Sequence, residues 1–363
     1  MATGMPMQFD SHPHRADPRI GAAQAQVLVR PGHLVMQDVV RPVPGPDEVV
    51  VRVRAALTCG TDVKSLLRGH PKLQLPSPLG HEFAGELAAV GSNVKGFREG
   101  DAVMGVPSAP CDECYVCRRG QENLCGNLWN DYAWGAFAQY LKLPARVVTT
   151  NLYPKPAELP FADAALLEPL SCVVHGMQQI RVRPDDTVVL IGAGAISLLH
   201  VQFLRALGVA QIVVIGRGER RAAFARAAGA SVVLTEPPLL AREAVLDLTD
   251  GRGADVVIEC TGQVEVWEAA PALARRGGTV VMFGGCPAGT VVRLDTHRFH
   301  YDELHILSPF HFTPRAVRMA YERLTGGQLK TAALISGEFP LADLSEALAR
   351  HQRGEGIKFA ILP

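Results

Sequence analysis

The chain has 363 residues, 48% of them apolar and 20% charged, which is enough for two or three domains with sizeable cores. Lys plus Arg and Asp plus Glu both total 36, so there is no basic surplus of the kind that nucleic-acid binding demands. No apolar run reaches the roughly 20 residues that span a bilayer, which excludes a helical membrane anchor.

Residues 1–24 are polar, with neither a basic start nor an apolar stretch of a secretory signal. They read as a mobile extension, and without an export signal the expected location is the cytoplasm, where stable disulfides are disfavoured. From Ala25 to about Val106, short β-type runs (QVLV, EVVVRVRAA, FAGELAAVG, GDAVMGV) are broken by Gly and Pro, which points to an antiparallel barrel or sandwich. This stretch also holds Cys59 in TCGTD and the pair His81-Glu82 in GHEFAG. Taken singly, such residues are weak signals, since a lone Cys after a strand is usually packing.

The run CDECYVCRRGQENLC follows, with Cys111, Cys114, Cys117 and Cys125 spaced C-x2-C-x2-C-x7-C in an otherwise polar loop. Thiolates this dense hold Zn2+ in a tetrahedron or ligate an iron–sulfur cluster. The last gap differs from the ferredoxin spacing, which favours zinc. Four thiolates leave no open coordination position, so this lobe is expected to fold a loop and to stand apart from chemistry.

FAQYLKLP and RVVTT (Phe137 to Thr150) resume a β pattern, and FADAALLEPLSCVVHGMQQI then turns helical. Glu168 lies in the helical run, before Pro169. From Thr187 strands alternate with helices, which argues for a doubly wound parallel sheet. Ile191-Gly192-Ala193-Gly194-Ala195-Ile196-Ser197 closes a strand and opens a helix, the context in which a Gly-rich turn binds a dinucleotide. Gly192 permits the turn, Gly194 lets backbone approach a pyrophosphate at the start of the helix carrying Ala195 and Ile196, and Ser197 takes the place of the third glycine. The next strand ends at Gly216 rather than a carboxylate and runs into Arg217-Gly218-Glu219-Arg220-Arg221. A missing carboxylate beside Arg217 and Arg221 favours NADP(H) over NAD(H), although Glu219 keeps NAD open. Two helices (RAVRMAYERLTGG and LADLSEALARHQRG), joined by a loop, and a short strand, IKFAILP, end the chain.

Together these motifs resemble the zinc-containing medium-chain dehydrogenase/reductase superfamily. GHEFAGELAAVG (Gly80 to Gly91) is similar to its zinc signature, the four cysteines to its structural-zinc lobe, and Thr187 to about Phe310 to its nucleotide fold. The resemblance implies a GroES-like β-barrel catalytic domain (residues 25–171 and 311–363) carrying two zinc ions, one catalytic and one structural. It also implies a Rossmann domain over residues 172–310. LLEPLSCVVHG is similar to the sorbitol-like polyol and threonine dehydrogenases, which place an acidic residue where liver-type alcohol dehydrogenases have Cys. The implied ligands are Cys59, His81 and Glu168, with Glu82 as an alternate partner and Cys172 as packing.

The implied reaction interconverts a secondary alcohol (polyol, cyclitol, sugar alcohol or amino alcohol) and its ketone. Thr61 would receive the proton and Asp62 would orient the loop. Lys64 stands where family members often have His, and His70 comes later. Thr261 and Gly262 would flank the adenosine, and Gly284 and Gly285 the nicotinamide ribose. Phe310-His311 replaces an Arg-Tyr pair of the polyol enzymes, and Trp129, Trp134 and Phe310 are candidates for a pocket. An aldehyde or enone reductase and a non-catalytic nucleotide-binding protein are the competing readings. The expected partner is a small molecule, with no nucleic acid or membrane, in a homodimer or homotetramer paired through the apolar run GTVVRL.

Overall fold

The computed structural model describes residues 21–363. Most of the expected 1–24 extension lies outside these residues, and its end is corrected. Ala22–Arg30 is already a strand, paired antiparallel with His33–Val40 and buried at Ala23, so ordered structure starts before Ala25.

The first half is built around the strand Val49–Leu57. Its valines are buried on both faces while Arg52 stays exposed, the pattern of a central strand with one polar opening. It pairs antiparallel with Phe83–Val90, Tyr140–Leu143 and, from the far end of the chain, Lys358–Leu362. Ala102–Gly105 and Leu152–Pro154 extend the sheet on one side and Ile335–Pro340 on the other, making seven strands. Ala22–Arg30, His33–Val40 and Ser77–Pro78 form a separate small sheet.

Four local readings change. The segment after Cys59 is a helix, Gly60–Arg68, because Asp62 accepts a hydrogen bond from the Cys59 amide and caps it. RVVTT lies in the helix Ala145–Asn151, where Val147, Val148 and Asn151 turn onto one buried face, so packing overrides β-branched propensity. Ile335–Pro340 is a strand rather than a loop, its pattern obscured by Gly337. GTVVRL forms no strand, and Val291 is 83% exposed.

The second half is a six-stranded parallel sheet in the order Val232–Leu234, Gln211–Ile215, Thr187–Ile191, Ala254–Glu259, Ala274–Met282, His305–Leu307. This is the doubly wound order, with its switch point between the first strand, Thr187–Ile191, and Ala254–Glu259. Those two strands read as continuous apolar runs because helices cover both faces. The helix Leu167–Gln178 packs against both Ala195–Ala206 of this half and Pro314–Thr325, and its core is continuous with Leu57 and Ala84 of the first sheet.

A glycine marks the tightest contact in the first sheet. A Cβ on Gly85 would stand 2.1 Å from the Arg52 carbonyl oxygen. Gly85→Ala is expected to destabilise the protein by about 3 kcal/mol, the upper range for overpacking, read as a fall in the urea unfolding midpoint.

Candidate active site

Cys59 ends the central strand's run and caps the helix Gly60–Arg68, with the Thr61 amide directed at its sulfur (3.5 Å). His81 precedes the strand Phe83–Val90, and both residues sit where that strand meets Val49–Leu57. Asp62 braces this corner. One carboxylate oxygen accepts the Cys59 amide at 2.8 Å, and the other lies 3.3 Å from His81 Nδ1, an ion-pair distance without hydrogen-bond alignment. Burial pulls the His81 imidazole down, but the Asp62 charge and contacts from Asp62 and Cys59 outweigh it and hold the pKa well above its usual value. A bound dication would displace that proton.

Cys59, His81 and Glu82 offer ligand atoms that all lie within 4.8 Å of one another. Glu82 is not free, however. Both of its oxygens lie 2.6 Å from Lys358 Nζ, which also donates to the Thr58 carbonyl. Glu168 falls outside the tight triad and has no cation bound to it, and burial raises its carboxyl to about 7. Cys172, one turn on, places its sulfur 3.9 Å from Glu168 Oε1 and is the one position in the otherwise buried run 164–177 that is only half-buried.

In the other cluster, consecutive sulfurs are 3.4 Å (Cys114–Cys117), 3.9 Å (Cys114–Cys125) and 3.5 Å (Cys125–Cys111) apart. Four sulfurs about 2.3 Å from a tetrahedral Zn2+ lie roughly 3.8 Å from one another, so the cluster has the size of that site. The Asn127 side chain lowers the Cys111 thiol to about 6, whereas burial pushes Cys117 up to about 12, and a dication at the centre would hold both as thiolates.

At the Gly-rich turn, Gly192 has φ 105°, the left-handed region, and an added Cβ would meet Thr261 at 3.0 Å. Gly194 caps the helix Ala195–Ala206, and nothing lies within 4 Å of where its Cβ would be, so the backbone is open to a ligand there. Ala195 and Ile196 form the helix's first turn, and Ser197 is fully buried. A Cβ on Gly216 would stand 2.7 Å from the Ala193 methyl, so no carboxylate side chain fits at this strand end. Gly192, Gly216, Arg217, Glu236, Thr261 and Gln263 line a cavity of about 200 Å3, with Arg217 bonded to Gln263 at 3.1 Å. Glu219 instead pairs with Arg226, and Arg221 donates to the Ala193 carbonyl, bracing the turn from below. Glu259 is buried beneath the Thr261-Gly262 turn and accepts its amides. Gly262 packs backbone to backbone on Gly284 and Gly285, leaving no room for a side chain at 262 or 284, whereas a Cβ on Gly285 would meet nothing within 4 Å.

Sequence reasoning missed Lys358, Glu259 and Tyr132. A lysine inside the apolar run IKFAILP was the available signal for Lys358, since such a residue is rarely buried unpaired. Tyr132 faces the reactive cluster, where burial and the charges of Glu168, Cys172 and Cys59 keep its phenol well above 10.

The donor sets fit zinc at both places, thiolate with imidazole and carboxylate at one and four thiolates at the other. Residues 45–155 match the family model "Alcohol dehydrogenase GroES-like domain", and residues 195–325 match "Zinc-binding dehydrogenase". Sorbitol dehydrogenase of Bacillus subtilis (strain 168) is 30% identical over 328 residues, covering 87% of this chain and 90% of that protein. The chain belongs to the zinc-binding medium-chain dehydrogenase family. Within that family it lies on the polyol side: D-altritol 5-dehydrogenase of Agrobacterium fabrum is 32% identical over 306 residues, 82% of this chain and 87% of that one. A structure described as a zinc-binding dehydrogenase from Sinorhizobium meliloti 1021, bound to NADP, superposes with a TM-score of 0.85 at 29% identity, covering 94% of this chain and 100% of that one. The zinc-binding dehydrogenase is therefore an oxidoreductase of alcohols with a GroES-like half and a Rossmann half.

Removing one partner of the buried pair should be costly. Lys358→Met leaves Glu82 charged and uncompensated, at about 3–5 kcal/mol, and Lys358→Met with Glu82→Gln recovers most of that loss. Urea unfolding of the two variants checks this.

Proposed function

We propose that the enzyme interconverts a secondary alcohol of the polyol class and its ketone, with NADP(H) as the hydride carrier. The observation that carries this reading is one corner holding Cys59 and His81, with the buried Glu168 near enough to feel the His81 charge, on a helix that packs against the one opening at the Gly-rich turn. Cys59, His81 and Glu168 would hold the catalytic zinc, which when bound lowers the pKa of an alcohol so that hydride can pass to nicotinamide. Asp62, 3.3 Å from His81 Nδ1, would orient the imidazole for a bound metal. Thr61, in the first helical turn after Cys59, would take the hydroxyl proton. Glu82 is the alternate partner, restrained by Lys358. Cys111, Cys114, Cys117 and Cys125 would hold the second zinc.

For the cofactor, the Gly192–Gly194 backbone and the helix start carrying Ala195 and Ile196 would take the pyrophosphate. Thr261 would flank the adenosine, and Gly284 and Gly285 the nicotinamide ribose. Arg217 would pair with a 2′-phosphate after releasing Gln263. Absence of space for a carboxylate at Gly216, engagement of Glu219 by Arg226, and the NADP in the S. meliloti structure all support that preference. Arg221 would act by holding the turn rather than by touching the ligand. We place the domain division at residues 171/172 and 310/311. The exposed apolar residues Val291, Phe299 and Tyr301 favour pairing of two copies through the parallel-sheet half. Cysteines used as ligands favour the cytoplasm.

The direct test is turnover of alditols, cyclitols, 2,3-diols and 3-hydroxy amino acids with NAD+ and NADP+ separately, where no turnover of any polyol would reject the reading. Glu168→Ala is expected to lower kcat at least a hundredfold and to leave the unfolding midpoint nearly unchanged, as followed by steady-state kinetics and thermal melts. Arg217→Ala should raise KM for NADP+ tenfold or more and change that for NAD+ little, since only the former carries the phosphate that a guanidinium grips.

A further inference from the structure

The four-cysteine lobe makes contacts beyond its own loop. Three contacts run from it, or from its immediate flanks, to one short segment at the junction of the two halves, Phe310–His311. Ahead of the lobe, the fully buried Ser108 places its hydroxyl 2.8 Å from His311 Nε2, and Asn151 fixes Ser108 through its carbonyl. Within the lobe, between Cys117 and Cys125, the buried Asn123 side chain donates to the Phe310 carbonyl at 3.0 Å, across 187 residues of chain. Behind the lobe, Trp129 packs on the cysteine cluster with one side and brings its ring within 6.1 Å of His311.

The segment so gripped is not at rest in an ordinary turn. His311 has φ 60°, the left-handed region, which costs a residue with a Cβ about 1 kcal/mol or more and persists only where its surroundings impose it. Phe310 is 51% exposed despite its size, so burial of its own ring does not hold it. The segment also faces the reactive corner: the rings of His81, Trp134, Trp129 and His311 follow one another at centroid separations of 6.0, 6.4 and 6.1 Å. Along that row, the buried Trp134 Nε1 has no hydrogen-bond partner.

We propose that the four-cysteine lobe is a specificity element, which through Ser108, Asn123 and Trp129 holds Phe310–His311 as the wall of the alcohol site opposite His81. This rests on the polyol dehydrogenase reading. Asn123 and Ser108 are positioning residues: they touch neither substrate nor cofactor and act through the segment they hold.

The test uses the zinc-loaded full chain with Asn123→Ala, and with Asn123→Asp, which keeps the size and loses the donated hydrogen bond. Amide exchange read by mass spectrometry over Ser308–Phe312 should quicken about tenfold in both, the effect of losing one hydrogen bond of about 1 kcal/mol or slightly more. With D-sorbitol as the probe, KM should rise about five- to tenfold, kcat should fall less than twofold, and KM for NADP+ should hold. Unchanged exchange at Ser308–Phe312 would overturn the proposal, as would a lowered melting temperature with KM for D-sorbitol unmoved. If the unmodified enzyme does not turn over D-sorbitol, the functional reading is at fault for that alcohol, and the exchange measurement still decides whether the lobe holds the wall.

Discussion

Lys358 and Glu82 form the ion pair on which the site's assembly depends. Neither side chain reaches solvent, and their contact joins residues 276 apart in the chain. The pair fastens the last strand to the loop that carries His81, and the same ammonium also takes the Thr58 carbonyl next to Cys59. One cation therefore ties together the two loops that present the sulfur and the imidazole. A buried pair of this kind adds little net stability over a packed apolar pair, so its value lies in fixing geometry. It also settles the division of labour between two adjacent carboxylates. Burial raises both Glu82 and Glu168, but Lys358 sits directly on the first, and the second forms no such ion pair among the described residues.

Much of the site was legible in the residues. The cysteine spacing and the strand–glycine–helix context of Gly192 and Gly194 follow from local pattern and the chemistry of ligands, whereas Cys59, His81 and Glu168 drew attention only together, through the family resemblance, and the structure groups the first two most tightly with Glu82. What was not legible depends on distant contacts. The helix after Cys59 is a short amphipathic segment that starts on a cysteine, an unusual cap, and only the reach of Asp62 to the Cys59 amide explains it. RVVTT is β-branched and forms a helix because Val147 and Val148 face the core from one side. Lys358 looks like an intruder in a strand until Glu82 is placed against it.

The contacts of the lobe were hidden for a different reason. Full coordination by four thiolates does argue that no reaction happens at that metal, but it says nothing about what the surrounding loop touches. Its sequence is polar and shows no period, so the partners of Asn123 and Ser108 had to come from the fold. Those partners, Phe310 and His311, lie 187 and 203 residues further along the chain, where the two halves join.

Gly216 carries a consequence for how this chain can change over time. A Cβ added there would stand 2.7 Å from the Ala193 methyl, so a side chain must displace the turn. Acquiring an acid at position 216 is thus a two-step mutational path, in which Ala193 must shrink first or the intermediate carries a distorted turn. Ala193→Gly alone trims a methyl and adds backbone freedom without a gain in ligand recognition, at a cost of up to about 1 kcal/mol. The two positions are epistatic, and selection acting one substitution at a time meets a barrier there.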